Sequence, residues 1–473
     1  MLFTLFIQCF VVATIQAFVS HTTPVAFSTT KTFSIHDRVP TLNNIQNIGP
    51  SISSLQAANT ETESTSTSIS LSNLADKRIL VVGGSGRVGG SVVCQLTKQG
   101  ALVTVGGTNE DSFLSSQGRW KRLFPSIEQN LDKITFSKVD RENASSLESI
   151  LETNNFDLVI HTAGPFQGKV KTPNGIIEAC VKSATPYIDV CDDYCTARAA
   201  KSKYASIAVE NDTPCIVSTG CWPGVSSLMC KQLTKNALEK NPSLTPRDLT
   251  VDFSFFTAGS GGAGATLLVA TFLILAEKSL LIQDGRRKEV DAMKDYDVVD
   301  FGKIVGKKDV AHLNLLEAAS AHDVLGIGNV KTLFGTAPGF WNQLLGLMAQ
   351  LPSSLLSNEP LMEKLAIFSL PIVRIVDYFA GATNAMRVDV TSAKDPSIQE
   401  MALYAHENLE PCVGECVMAF SCALLSGNVK GGIWFPEEAI ETKEDIAAVL
   451  GLAGIGAHTL EVGGGMKKSD VWG

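Results

Sequence analysis

The run over residues 77–90, Lys-Arg-Ile-Leu-Val-Val-Gly-Gly-Ser-Gly-Arg-Val-Gly-Gly, constrains this chain's fold more than any other stretch. Ile79, Leu80, Val81 and Val82 are consecutive apolar residues, as expected of a short parallel strand covered on both faces. Gly84, Gly86 and Gly89 follow in G-x-G-x-x-G spacing, and a helix-compatible segment over 91–99 comes next. Strand, glycine turn and helix in that order suit a dinucleotide pyrophosphate. Gly84 permits the tight turn, Gly86 lets the backbone approach the phosphates, and Gly89 lets the helix pack on the strand, with the helix N-terminal N–H groups facing the anion. Ser85, Arg87 and Val88 complete the loop and are expected cofactor contacts. A glycine-rich turn without a ligand is the competing reading; the flanking strand and helix favour the cofactor.

Strand and helix signals alternate after this point. Strands are expected over 78–82, 102–105, 134–139, 157–162, 187–190 and 215–218, with helices over 88–98, near 111–123, and over 145–154, 174–183 and 196–211. Thr185-Pro186 and Thr213-Pro214 suit extended starts, because proline pushes its predecessor out of the helical region. The fold class is therefore α/β, a doubly wound parallel sheet of Rossmann type with strand order 3-2-1-4-5-6. A further helix starts at Pro223, with Val225, Leu228, Met229, Leu233 and Leu238 on one face. Asn241-Pro242 and Thr245-Pro246 mark a linker, which gives an NAD(P)-binding domain over 76–246. Residues 247–440 read as a second, α+β domain. Its features are an alternating strand over 249–256, a glycine-rich turn over 257–266, a buried helix over 267–276, a strand over 386–390, and apolar helices near 341–351, 361–379 and 412–425.

Composition removes several function classes. The net charge is −9 and no lysine- or arginine-rich stripe occurs, so no nucleic-acid partner is expected. The 267–276 segment stops at Glu277-Lys278, too short to cross a bilayer, so the mature chain is expected to have no integral membrane span. Eleven cysteines lack metal-finger spacing; Cys191/Cys195 and Cys412/Cys416 are spaced i, i+4. They read as small buried apolar residues in a reducing compartment. Residues 1–19 form an apolar, signal-like presequence, and 20–75 form a Ser/Thr-rich leader too poor in apolar residues to fold. The pair resembles the bipartite presequence of proteins imported into secondary plastids, with Ala17-Phe18 at the expected cleavage point. The expected location is the plastid, with the secretory pathway as the alternative.

Cofactor choice is usually decided at the end of the second strand, where an acid takes the ribose hydroxyl of NAD. Here Val105-Gly106-Gly107-Thr108-Asn109 carries no acid at the tip. Thr108 and Asn109 can hydrogen-bond a 2′-phosphate and Arg87 can supply charge, so NADP is favoured over NAD. Asp140, after the third strand, is either a partner for the adenine amino group or a surface carboxylate. Ala163-Gly164-Pro165 follows the fourth strand, at the switch point over the pyrophosphate and nicotinamide ribose. His161, inside that strand, reads as a packed residue.

Ala163-Gly164-Pro165-Phe166, the run Tyr187-Ile188-Asp189-Val190-Cys191-Asp192-Asp193, and the run Gly220-Cys221-Trp222-Pro223-Gly224-Val225-Ser226 resemble successive motifs of the saccharopine dehydrogenase-like oxidoreductases. Thr257-Ala258-Gly259, Phe334-Gly335-Thr336-Ala337-Pro338, Met386-Arg387-Val388-Asp389 and Trp434-Phe435-Pro436-Glu437-Glu438 are similar to the plastid-type branch in plants and algae. The resemblance implies an NAD(P) domain, a second domain closing a cleft over the nicotinamide, hydride exchange as the reaction, and a C-terminal part, 441–473, that packs on the first domain. A site for saccharopine's three carboxylates should gather several arginines. Arg247, Arg286, Arg287, Arg374 and Arg387 are scattered instead, which argues against saccharopine itself.

Hydride transfer asks the protein for orientation and for one group that manages a proton. Asp192 and Asp193, at the C-terminal end of the fifth strand, are the candidates, because adjacent carboxyls there can have one raised pKa. The competing role is capping the next helix. Tyr194 and His406 are weaker alternatives. Pro223-Gly224 and 261–265 each precede a helix and can bind a substrate anion. The expected protein is an oxidoreductase acting on a small-molecule substrate, with a homodimer possible; a non-catalytic NADP-binding redox sensor or scaffold is the rival.

Overall fold

Strictly parallel pairing organises the first sheet of the computed structural model, which describes residues 68–141, 144–167, 175–259, 264–463 and 466–467. Its strands are β1 (Arg78–Val82), β2 (Leu102–Gly107), β3 (Thr135–Lys138), β4 (Leu158–His161), β5 (Tyr187–Asp189) and β6 (Pro214–Ile216). They run in the order 3-2-1-4-5-6. The period-2 alternation of a strand divides the apolar residues between two cores. Ile79 and Val81 join one core with Val92, Val93 and Leu96 of the Arg87–Lys98 helix. Leu80 and Val82 face the other, with Ile177 and Ala179 of the Gly175–Lys182 helix and Tyr204 of the Tyr194–Glu210 helix. Each of these buried Val, Leu and Ile side chains contributes about 1.5–3 kcal/mol.

A seventh strand, Gly432–Trp434, pairs parallel with β6 and closes that edge of the sheet. It comes from far along the chain. The Leu409–Leu425 helix packs over the Arg87–Lys98 helix in the same core.

The second sheet is mixed. Its longest register is the parallel pair of Leu249–Ala258 with Asn329–Ala337. Thr383–Ser392 lies antiparallel on the other side of Leu249–Ala258, and Gln399–His406 lies antiparallel to Thr383–Ser392. Phe253, Phe255, Val388 and Tyr404 of these strands are buried in the core shared with the first sheet's helices. No described helix is long and apolar enough to cross a membrane.

One boundary differs from the sequence expectation. The unfolded leader ends earlier than residue 75: Leu71–Leu74 forms a short 3-10 turn, and Ile69 and Leu74 are buried against the apolar core. Those two side chains supply the burial that the leader's average composition lacks. The described part of the 441–473 tail divides in two: Ile446, Val449 and Leu450 of the Lys443–Ala453 helix pack in the core that holds Val225, Leu228 and Leu233 of the first domain, and its last strands join the second sheet. Thr459–Val462 pairs with Gln399–His406 and then with Met466–Lys467, extending the second sheet, because the Gln399–His406 edge would otherwise leave backbone groups unpaired. Leu409–Leu425 and Gly432–Trp434 also reach the first sheet. The presequence and leader through residue 67, the turn positions 260–263 and residues 468–473 lie outside the described residues.

Candidate functional site

The glycine turn has the expected shape with one shift of register. Gly83 carries the left-handed backbone, φ +82°, and a Cβ there would meet the Ala163 backbone nitrogen at 2.8 Å. The tight-turn role given above to Gly84 therefore belongs to Gly83, which the G-x-G-x-x-G register leaves out. Gly89 has its expected role: a Cβ would lie 2.3 Å from the Gly83 carbonyl oxygen, so only glycine lets the helix start this close to β1. Gly86 is the N-cap of the Arg87–Lys98 helix and no side chain caps it. The first-turn N–H groups therefore have neither intrahelical nor capping acceptors, the condition for binding a phosphate.

Two residues missed in the sequence frame this turn. Arg119, from the Glu110–Leu123 helix, donates from Nη2 to the carbonyls of Ser85 at 3.1 Å and Gly86 at 2.6 Å. Glu410, from the Leu409–Leu425 helix, accepts from Arg87 Nε at 2.5 Å, and its other oxygen lies 3.9 Å from Arg119 Nε. The Arg87 charge is thus held over the turn by a nearly buried acid. A long-range partner such as Glu410 leaves no local sequence signal.

The end of β2 is exposed at Thr108 and Asn109. Asn109 Oδ1 caps the next helix, accepting from the N–H of Asp111 at 2.8 Å. Asp140 is exposed just past β3. Its neighbour Arg141 donates to the carbonyls of Ala163 at 2.5 Å and Gly164 at 2.8 Å, tying the ends of β3 and β4 together. Ala163, Gly164 and Pro165 are half-buried. The Ala163 N–H donates to His161 Nδ1 at 3.3 Å. Burial, with the Arg141 charge, pushes the imidazole down to about 3, so His161 is a neutral packing residue.

The carboxyls past β5 divide by role. Asp189 accepts from the N–H of Cys191 and of Ser218 and from the Tyr187 hydroxyl, so it shapes the strand end. Asp193 caps the Tyr194–Glu210 helix through the N–H of Thr196 at 2.7 Å, the competing role anticipated for it. Asp192 differs: burial pushes its carboxyl up to about 6, with the neighbouring acids adding to a push that a Gln167 hydrogen bond opposes. Glu317, on the Leu316–Asp323 helix, is raised further. It is 1 % exposed, accepts from Ser226 Oγ at 2.7 Å, and burial lifts it to about 7, with Asp192 adding to the push. Glu437 is lifted by burial to about 8. Asp192 and Glu317 therefore interact across two separate stretches of chain, and both can exchange a proton near neutral pH.

The remaining candidates are engaged elsewhere. Tyr194 donates to Asp323 at 2.5 Å, and Arg287 forks the same carboxylate at 2.7 Å. Arg387 forks Asp389, also at 2.7 Å. His406 is buried 3.6 Å from Glu415. Gly224, after Pro223, is the N-cap of the Val225–Lys240 helix, and Ser226 in its first turn is the donor to Glu317.

Comparison with known proteins agrees with this geometry. Residues 79–216, which hold the six strands β1 to β6, match the family model described as the saccharopine dehydrogenase NADP binding domain. Over 88 residues, 19% of this chain, it is 35% identical to UDP-glucose 4-epimerase 2 of Arabidopsis thaliana. It is 33% identical over 90 residues to the bifunctional UDP-glucose 4-epimerase and UDP-xylose 4-epimerase 3 of the same plant. The chain spans about a quarter of the length of these curated relatives, 24% and 25%. Among solved structures, the apo histidine-tagged saccharopine dehydrogenase (L-Glu forming) of Saccharomyces cerevisiae superposes with a TM-score of 0.53. The match covers 81% of this chain and 99% of that one at 13% identity, a likeness of fold.

Proposed function

We propose that this chain is an NADP-dependent oxidoreductase that exchanges a hydride with a small substrate beside the C-terminal ends of β5 and β6. The observation that carries the proposal is the Asp192–Glu317 pair, two carboxyls raised to about 6 and about 7, at the edge of the sheet where such folds hold the reacting end of a dinucleotide. NADPH supplies the hydride when bound. The glycine turn and the helix start at Gly86 receive the pyrophosphate. Arg87, with Thr108 at the β2 tip, would hold the 2′-phosphate, and the backbone of Ala163, Gly164 and Pro165 would hold the nicotinamide ribose. Asp192, whose pKa lies near working pH, moves the proton that accompanies the hydride. Glu317, itself pushed up by burial and by the Asp192 charge, keeps its proton while Asp192 ionises, so the pair carries one negative charge rather than two. Arg287 and Arg387 are each forked onto one of the chain's own carboxylates, which supports a substrate with fewer than three carboxylates.

The test is a spectrophotometric screen of NADPH-saturated protein against imines, 2-oxo acids and enoyl compounds. Turnover of one class, with kcat lowered about 10²–10⁴-fold by Asp192→Asn, is the expected result. Tight cofactor binding with no turnover on any class favours the rival sensor reading. The plastid location is part of the same proposal and rests on Ala17-Phe18 and the leader's composition. A fluorescent fusion of the full chain should enter the plastid; retention in the secretory pathway would overturn it.

A further inference from the structure

The Leu409–Leu425 helix meets the loop after β6 over three cysteines. Cys412 and Cys416 stand one turn apart on the helix, Cys221 comes from the loop, and all three are buried. Their sulfurs all lie within 4.8 Å of one another, Cys221 and Cys412 at 3.3 Å. Tyr404, from the Gln399–His406 strand, sends its hydroxyl proton to the Ala453 carbonyl at 2.9 Å. The same oxygen is 3.5 Å from Cys412 Sγ, so a lone pair faces the cluster. Three sulfurs and one oxygen lone pair thus converge from the loop, the helix and the strand.

We propose that Cys221, Cys412 and Cys416 bind a soft d10 metal ion, Zn²⁺ before Cu⁺, as a structural centre that clamps the Leu409–Leu425 helix to the first sheet. Zinc–sulfur bonds of about 2.3 Å in a tetrahedron set sulfurs about 3.8 Å apart, inside the spread seen here. An all-thiolate first shell discriminates against Mg²⁺ and Ca²⁺. Charge orders the two soft ions. Three thiolates around a divalent ion leave one net negative charge, around a monovalent ion two, and buried net charge is costly. The Tyr404 oxygen is placed to complete the shell as a neutral hydroxyl. On binding, each thiol gives its proton to solvent as its sulfur bonds to the ion; no electrons are transferred. The clamp has a consequence for the nucleotide site, because Glu410, which grips Arg87, sits two residues before Cys412.

The test is metal analysis of the full chain produced with zinc present, followed by Co²⁺ substitution. About one zinc per chain and a thiolate-to-cobalt charge-transfer absorption are expected. Cys412→Ser and Cys416→Ser should lose both signals. Cys230→Ser and Cys422→Ser, buried cysteines outside the cluster, should keep them. If Cys412→Ser does not fold, the cobalt spectrum of the unaltered protein decides. Three results would each overturn the proposal: unaltered protein that takes up neither zinc nor cobalt, metal retained in both cluster variants, or a Cys221–Cys412 disulfide in the native protein.

Discussion

Replacing Glu317 by Gln should make the protein more stable at pH 8 than the unaltered chain, although it removes a charged side chain. Burial lifts Glu317 from an ordinary 4.5 to about 7, so ionising it inside the fold costs about 3 kcal/mol. The sign follows from the folded value being the higher one. The folded state then holds the proton more tightly than the unfolded chain. That stability is complete below about 4.5 and is lost as pH rises through about 7. Gln has no proton to lose and can still accept from Ser226 Oγ. Stability differences between the variant and the unaltered chain should therefore shift by about 2–3 kcal/mol in the variant's favour between pH 5 and pH 8. Urea unfolding at the two pH values, followed by tryptophan fluorescence, measures it as a change in midpoint at constant slope. A variant equally destabilised at both pH values, or worse at pH 8, would show that Glu317 is folded as a carboxylate and would refute the reasoning.

Two further perturbations probe the nucleotide end. Gly89→Val places a Cβ 2.3 Å from the Gly83 carbonyl, a backbone atom that cannot swing away. The helix start must shift, and the rise in melting temperature caused by NADPH should vanish. Glu410→Gln breaks a largely buried ion pair with Arg87. It should cost about 2 kcal/mol in urea unfolding, a penalty that added salt changes little because Glu410 is buried.

Much of the first sheet was legible because its strands are consecutive apolar runs, as in Ile79–Val82 and Leu158–Ile160, punctuated by turn residues. The Gly432–Trp434 strand was not legible: it is three residues long and owes its existence to the open edge of β6. Helices on the chain's surface read well too; Asn109 and Asp193 cap theirs as short polar residues do. The candidate site was half visible. Asp192 stood out from its place after an apolar strand. Glu317 and Glu437 were hidden, since a glutamate on a helix reads as solvated until tertiary packing covers it. Cys412 and Cys416 showed their helical spacing, but Cys221 joins them only through the fold.

Nucleotide preference tests the central reading most directly. Calorimetric titration of the full chain with NADPH and with NADH should give one site per chain, with NADPH at least tenfold tighter, the value of one charge-assisted hydrogen bond of about 1.5–3 kcal/mol from Arg87 to the 2′-phosphate. Arg87→Ala should lower NADPH affinity to that of NADH and leave NADH binding nearly unchanged. Equal affinities in the unaltered chain, or no binding of either nucleotide, would contradict the account.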